Sequence, residues 1–71
     1  MDNKASLTPR QRQIYDYMIE FMATHGYIPS QYKIAEDFEI SQPVIAVHLA
    51  KIEQRGWIKR AGGMANGITI L

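Results

Sequence analysis

Apolar residues recur at spacings of three and four in three stretches of the chain, which is the spacing of one face of an α-helix. The first stretch follows Thr8-Pro9-Arg10-Gln11, where Thr is suited to the N-cap, Pro to the first helical position and Gln to the third. Gly26 is suited to the position after the helix. The stripe predicts a buried face made of Ile14, Tyr15, Met18, Phe21, Met22 and His25.

The next two stretches lie close together. Ser30 is a candidate cap for a short helix that ends at Phe38, and a second helix is predicted from Gln42 to Arg55, with Gly56 ending it. The turn between them is Glu39-Ile40-Ser41, where a left-handed Glu39 is expected to cost ~1 kcal/mol. Two helices over a tight turn form a helix-turn-helix unit, whose second helix fits the DNA major groove. The residues expected to face the core are Ile34, Ala35 and Phe38, then Ile45, Leu49 and Ile52.

Beyond Gly56 the pattern changes to extended chain. Trp57–Ala61 and Ile68–Leu71 are rich in strand formers, and the Gly-rich segment 62–67 between them predicts a hairpin. Tyr27-Ile28-Pro29 is also expected to be extended and to add a short strand beside that hairpin. The predicted fold is mainly α with a small β-hairpin, a three-helix winged helix-turn-helix over residues 7–71, preceded by a short flexible N-terminus, residues 1–6.

Composition narrows the function further. The 71 residues allow one small domain, and the absence of cysteine excludes disulfides, thiolate metal sites and a cysteine nucleophile. No apolar run approaches the ~20 residues of a membrane helix, and no signal peptide is recognisable, so a cytoplasmic protein is expected. The two histidines, His25 and His48, are too far apart in sequence, and without a third ligand, to indicate a metal site.

The net charge of +1 is small, but the charges are unevenly distributed. Over residues 42–71, four basic residues stand against Glu53 alone, which gives +3, whereas residues 27–41 carry −2. A local basic footprint attracts phosphates, although basic residues also simply keep a surface solvated. The four basic residues are Lys51, Arg55, Lys59 and Arg60.

If the third helix buries its isoleucines and leucine, its other face is available to DNA. Gln42 can bond adenine bidentately, and the valine methyls can meet thymine methyls. The two valines also fit a protein contact, and His48 fits a DNA contact, a surface position or a partly buried one. The candidate base contacts are Gln42, Val44, Val47, His48 and Lys51. The candidate phosphate contacts are Ser30, Gln31, Tyr32, Ser41, Lys59, Arg60 and Asn66.

Several segments resemble the N-terminal DNA-binding domain of the LexA family of SOS repressors. They are Leu7-Thr-Pro-Arg-Gln11, Gly26-Tyr-Ile-Pro-Ser30, Ile34-Ala35, His48-Leu49, Arg55-Gly56-Trp-Ile58 and Asn66-Gly67-Ile68 through Leu71, so that the resemblance covers Leu7 to Leu71. It implies a winged-helix operator binder that acts as a repressor, typically as a dimer on a two-fold site. The family's self-cleaving second domain has no counterpart in this sequence, and its operator is not transferable, because Val44-Ile45-Ala46-Val47 does not reproduce its polar reading residues.

The favoured hypothesis is therefore a sequence-specific regulator that binds double-stranded DNA, a LexA-like repressor of bacterial or phage type, associated with the nucleoid. We expect a monomer at low concentration that pairs on a two-fold operator. The alternative is a winged helix that contacts a repressor or RNA polymerase through Val44, Val47 and Trp57. An enzyme is disfavoured, since no Gly-rich phosphate loop or nucleophile–base set is present, and no cofactor is expected.

Overall fold

The computed structural model of the chain describes residues 5–61 and 67–71. It contains three helices followed by a two-stranded antiparallel hairpin, so the predicted winged helix-turn-helix is confirmed. In the hairpin, Ile58 lies opposite Ile70, Lys59 opposite Thr69 and Arg60 opposite Ile68. The helices are α1 (Pro9–His25), α2 (Gln31–Phe38) and α3 (Gln42–Gln54), and the strands are β1 (Ile58–Arg60) and β2 (Ile68–Ile70).

The predicted caps begin α1 and α2, and the predicted glycine ends α1. The Thr8 hydroxyl accepts from the Gln11 N–H at 3.3 Å, and the Gln11 side chain accepts from the Thr8 N–H at 3.0 Å, which completes the capping box. The Ser30 hydroxyl caps α2 by accepting from the Lys33 N–H at 3.1 Å. Gly26 ends α1 in the left-handed conformation at φ 84°. Local hydrogen bonds thus set these helix ends. Helix α3 ends at Gln54, one residue earlier than predicted.

One core holds the helices and hairpin together. It contains Ile14 and Met18 of α1, Ile34 and Ala35 of α2, Ile45, Leu49 and Ile52 of α3, and Ile58 and Ile68 of the hairpin. The predicted stripe of α1 is wider than its buried face, because Met22 is 36% exposed and His25 is exposed. The His25 ring stacks on Phe21 at 4.1 Å instead of entering the core.

The prediction of a third strand at Tyr27–Pro29 is wrong. Among the described residues the sheet has two strands, β1 and β2. Pro29 is fully buried and has no N–H to donate to a strand ladder. Tyr27 is 59% exposed and its ring lies edge-on to Phe21. The segment is therefore a packed connection between α1 and α2.

The turn between α2 and α3 has the expected left-handed residue. Glu39 lies at φ 55°, ψ 42°, and its N–H donates to Glu36 at 3.2 Å. A side chain is disfavoured there by roughly 1–2 kcal/mol, and glycine gives back part of that difference through its freer unfolded chain. We expect Glu39→Gly to raise the free energy of unfolding by about 0.5–1 kcal/mol in urea denaturation. A loss of stability would show that the Glu39 side chain makes a compensating contact.

A polar contact joins α1 and α2. The Tyr17 hydroxyl donates to the Asp37 carboxylate, and Lys33 lies 3.4 Å from the same group. The Tyr17 hydrogen bond, assisted by Lys33, lowers the pKa of Asp37, while burial and Asp37 raise the pKa of the Tyr17 phenol. Since the folded carboxyl has the lower pKa, its contribution to stability is complete above the pKa of free aspartate, about 3.9, and is lost as pH falls below it.

This linkage gives a measurable expectation for Tyr17→Phe. The variant lacks the hydroxyl that lowers the pKa of Asp37, so its free energy of unfolding should fall less steeply with acidification than that of the wild type. Urea denaturation at a series of acidic pH values measures both slopes. Equal slopes would assign the acid dependence to other carboxylates.

The residues ahead of α1 are held against the start of the hairpin. The Trp57 indole N–H donates to the Ala5 carbonyl at 2.7 Å, and the Arg55 Nε donates to the Ser6 carbonyl at 3.0 Å. The Ala5 N–H donates to the Arg55 carbonyl at 3.3 Å. Ala5 and Ser6, predicted as the end of a flexible segment, are therefore fixed by three hydrogen bonds; residues 1–4 lie outside the described part.

Candidate nucleic-acid interface

Helix α3 has one completely buried flank and one open flank. Ile45, Leu49 and Ile52 are 0% exposed. On the other side Val44 is 45% exposed and Val47 is 53% exposed. The apolar side chains at helical spacing on the inner flank lie in the core. The two valines form a second apolar surface that faces outward. We call the outer surface of α3, formed by Gln42, Val44, Val47 and Lys51, the reading face; all four side chains are exposed.

The start of α3 is positioned by α2. The Gln31 side-chain amide donates to the Gln42 carbonyl at 3.2 Å, which links the first residues of the two helices. Ser41 occupies the N-cap position with extended backbone, but its hydroxyl makes no capping bond to the helix. The Ser41 side chain is exposed, so this hydroxyl is available to a ligand at the positive end of α3.

His48 lies at the border of the reading face. It is half-buried, and its Nδ1 is buried without a hydrogen-bond partner among the residues that the structure describes. Of the three alternatives for His48, a DNA contact, a surface position or a partly buried position, the structure shows the partly buried position. A contact of His48 with DNA stays a prediction.

The predicted phosphate contacts other than Ser41 belong to α2 with its N-cap and to the hairpin segment. At α2, Ser30 already uses its hydroxyl to cap the helix, whereas Tyr32 is 60% exposed. At the hairpin, Lys59 is exposed, but the Arg60 Nε lies 3.1 Å from a Glu53 carboxylate oxygen. Asn66 lies outside the described residues. Arg60 is therefore oriented by a neighbour, a feature that its position in the sequence did not indicate.

Ion pairs reduce the basic character of α2 more than that of α3. Lys33 lies 3.7 Å from Glu36 and 3.4 Å from Asp37, both exposed acids on the same helix. Lys51 on α3 makes no ion pair within residues 5–61 and 67–71. The Lys51 ammonium group is therefore a positive charge of the reading face that no ion pair among these residues compensates.

Glu53 contacts the candidate phosphate-binding residue Arg60, and the sequence analysis did not single it out. Its carboxylate accepts from the Arg60 N–H at 3.0 Å and from the Arg60 Nε at 3.1 Å. These two hydrogen bonds lower the pKa of the Glu53 carboxyl. A signal was present in the sequence, because an acidic residue in the last turn of a helix faces the negative end of its dipole and calls for a compensating partner.

No helix within the described residues is long and apolar enough to cross a membrane. The same residues contain no group of three histidine or acidic side chains placed to hold a metal ion.

Two helices joined by a short turn, with one flank of the second helix exposed and a hairpin after it, define the winged helix-turn-helix class of DNA-binding domains. The family model described as the LexA DNA binding domain matches residues 4–67. The chain belongs to this family.

Curated relatives agree with the family assignment. The LexA repressor of Koribacter versatilis is 37% identical over 67 residues, which are 93% of this chain and 32% of that protein. The LexA repressor of Pseudothermotoga lettingae is 38% identical over 68 residues, 96% of this chain and 34% of that protein. That of Thermotoga maritima is 36% identical over 64 residues, 90% and 32% respectively. The chain therefore spans about a third of the length of the relatives it matches.

Proposed function

We propose that this chain is a sequence-specific double-stranded DNA-binding domain that acts in transcriptional repression, with α3 lying in the major groove. The observation that carries the proposal is the two-sided character of α3, with Leu49 at 0% exposure and Val47 at 53% exposure on opposite flanks. A monomeric domain gains nothing from two exposed valines in water, whereas the major groove presents thymine methyls that such side chains contact favourably.

The polar and apolar side chains of the reading face contact different groups of the DNA. Gln42, at the helix start, donates to and accepts from an adenine edge. Val44 and Val47 contact thymine methyl groups. Lys51 donates to a guanine edge or to a phosphate, and half-buried His48 borders the same surface. The preferred site thus contains an adenine beside thymines.

Phosphate contacts supply the affinity that does not depend on sequence. Tyr32 and Ser41 approach one strand near the helix-turn-helix, and Lys59 and Arg60 approach the backbone from the hairpin; Ser30, Gln31 and Asn66 complete the proposed set. Two copies bind one two-fold operator, since the relatives are LexA repressors and helix-turn-helix proteins commonly read paired half-sites. The site of action is the bacterial cytoplasm, where the DNA lies.

The decisive experiment is selection of bound duplexes from a random pool, followed by titration of the selected duplex and of a mixed-sequence duplex at several salt concentrations. We expect a two-fold motif and tighter binding of the selected duplex, with affinity for both falling as salt rises. The matched control is the double variant Val44→Ala/Val47→Ala. It leaves the buried flank of α3 unchanged and removes the exposed γ-methyl groups of the two valines. Absence of binding to any duplex at low salt would reject the proposal and favour a protein partner for the same valines.

Replacing thymine by uracil in the selected duplex tests the role of the valines directly, because only the methyl group is removed. We expect each contacted methyl to contribute about 0.8 kcal/mol, so that its loss weakens binding about fourfold. The Val47→Ala protein should be insensitive to uracil at the position that Val47 contacts. Equal affinity of the wild type for the thymine and uracil duplexes would remove the valines from base recognition.

A further inference from the structure

The junction between α3 and the hairpin contains a polar contact that the proposed reading of DNA does not use. In antiparallel pairing, residues alternate between those bonded to the partner strand and those pointing away from it. The Ala61 N–H donates to the Gly67 carbonyl at 2.6 Å and the Leu71 N–H to the Trp57 carbonyl at 3.1 Å. Arg60, paired in register with Ile68, therefore directs its N–H away from β2.

Glu53 satisfies that outward N–H. One carboxylate oxygen accepts from the Arg60 N–H at 3.0 Å, and the other accepts from the Arg60 Nε at 3.1 Å. Glu53 therefore binds both the backbone and the side chain of a single residue of β1. The contact is half-shielded, since the Arg60 and Glu53 side chains are 32% and 34% exposed. The hairpin is in this way joined to the last turn of the helix that carries the reading face.

The location of Glu53 argues for a specific role. A carboxylate in the last turn of α3 faces the negative end of the helix dipole, and it would repel DNA phosphates near the hairpin. Both effects are unfavourable to a DNA-binding domain. The contact of Glu53 with Arg60 compensates for both effects. Because the contact holds the guanidinium in one orientation, the Arg60 side chain loses less conformational entropy when it binds a phosphate.

We propose that Glu53 is a positioning residue for DNA binding: it fixes the hairpin on α3 and aims the outer nitrogens of Arg60 at a phosphate. The Nε of Arg60 is bonded to Glu53, which leaves the two terminal NH2 groups of the guanidinium to donate to a phosphate oxygen. The inference rests on the proposed function, since it requires that the domain bind DNA through the hairpin as well as through α3.

Electrostatics alone predicts the opposite result from positioning, which makes the test sharp. If Glu53 only repels phosphates, Glu53→Ala and Glu53→Gln should both bind DNA more tightly. If Glu53 positions Arg60, both should bind more weakly. Glu53→Gln keeps one acceptor oxygen for the Arg60 N–H and loses the ion pair, so its effect should be the smaller.

The measurement is titration of a labelled mixed-sequence duplex and of the selected duplex over a range of salt concentrations. We expect Glu53→Ala to weaken binding to both duplexes roughly three- to tenfold and to reduce the slope of log affinity against log salt by about 0.9, the value for one lost phosphate contact. Glu20→Gln is the control, because it removes the same charge from an exposed position on α1; it should leave affinity unchanged or slightly raised.

Circular dichroism checks that each variant is folded, and Glu53→Gln supplies the result if Glu53→Ala is not. Affinity of either folded variant equal to or greater than that of the wild type, with an unchanged salt slope, would overturn the inference alone. Failure of the wild-type protein to bind any duplex would overturn the proposed function and this inference with it.

Discussion

Leu49→Ala is expected to lower the free energy of unfolding by about 3 kcal/mol, because a completely buried leucine in a packed core leaves a cavity when it is truncated. A domain of this length has a total stability of roughly 4–10 kcal/mol, so the single change removes a large part of it. Urea denaturation followed by circular dichroism measures the loss, and the melting temperature should fall by more than ten degrees, at about 4–8 °C per kcal/mol.

Val47→Ala is the matched control for this experiment. Val47 lies on the same helix two residues before Leu49 but is 53% exposed, so its truncation should change stability by less than about 0.5 kcal/mol. DNA affinity should fall in this variant while the fold is intact. If Val47→Ala were as destabilising as Leu49→Ala, the outer flank of α3 would be packed, and no surface would remain to read DNA.

The parts of the fold that sequence predicted well are those that short-range chemistry determines. Thr8 and Gln11 form the predicted capping box, and Gly26 lies at the predicted position after α1. The buried flank of α3 followed from helical spacing alone, because a helix in a small domain must cover one face. The left-handed Glu39 was predicted from the geometry of a tight turn, which leaves little choice at that position.

The parts that were missed depend on residues far apart in sequence. Tyr17 and Asp37 are 20 residues apart, and Ala5 and Trp57 are 52 residues apart. No local pattern connects such pairs before the fold is known. Met22 satisfied the helical spacing but is 36% exposed, since spacing gives the direction of a side chain and not the extent of the core.

The candidate site shows the same division. The exposure of Gln42, Val44, Val47 and Lys51 followed from the phase of α3. For His48 the sequence left an exposed and a partly buried position open, and the structure places the side chain half-buried at the border of the reading face. To predict that Glu53 orients Arg60, one must know the register of the hairpin. The sequence pattern predicted two strands but not how their residues pair.

Gln42→Ala is expected to abolish discrimination at one base pair of the selected site, weakening binding of the selected duplex by about tenfold or more. A bidentate glutamine–adenine pair contributes roughly 1–3 kcal/mol of discrimination, and alanine offers no hydrogen bond in its place. Binding to mixed-sequence DNA should be nearly unchanged, since phosphate contacts are retained. The fold is preserved because Gln31 bonds the backbone carbonyl of residue 42, at 3.2 Å, and not its side chain.

Comparison of Lys51→Ala with Gln42→Ala distinguishes a phosphate contact from a base contact. If the Lys51 ammonium group contacts a phosphate, its removal should weaken binding to selected and mixed-sequence duplexes alike and lower the salt slope by about 0.9. Titration of both variants against duplexes altered at each position of the motif assigns the base pair that Gln42 reads. Equal loss of selected and mixed-sequence binding in Gln42→Ala would mean that Gln42 contacts the backbone, and sequence choice would then rest on the two valines.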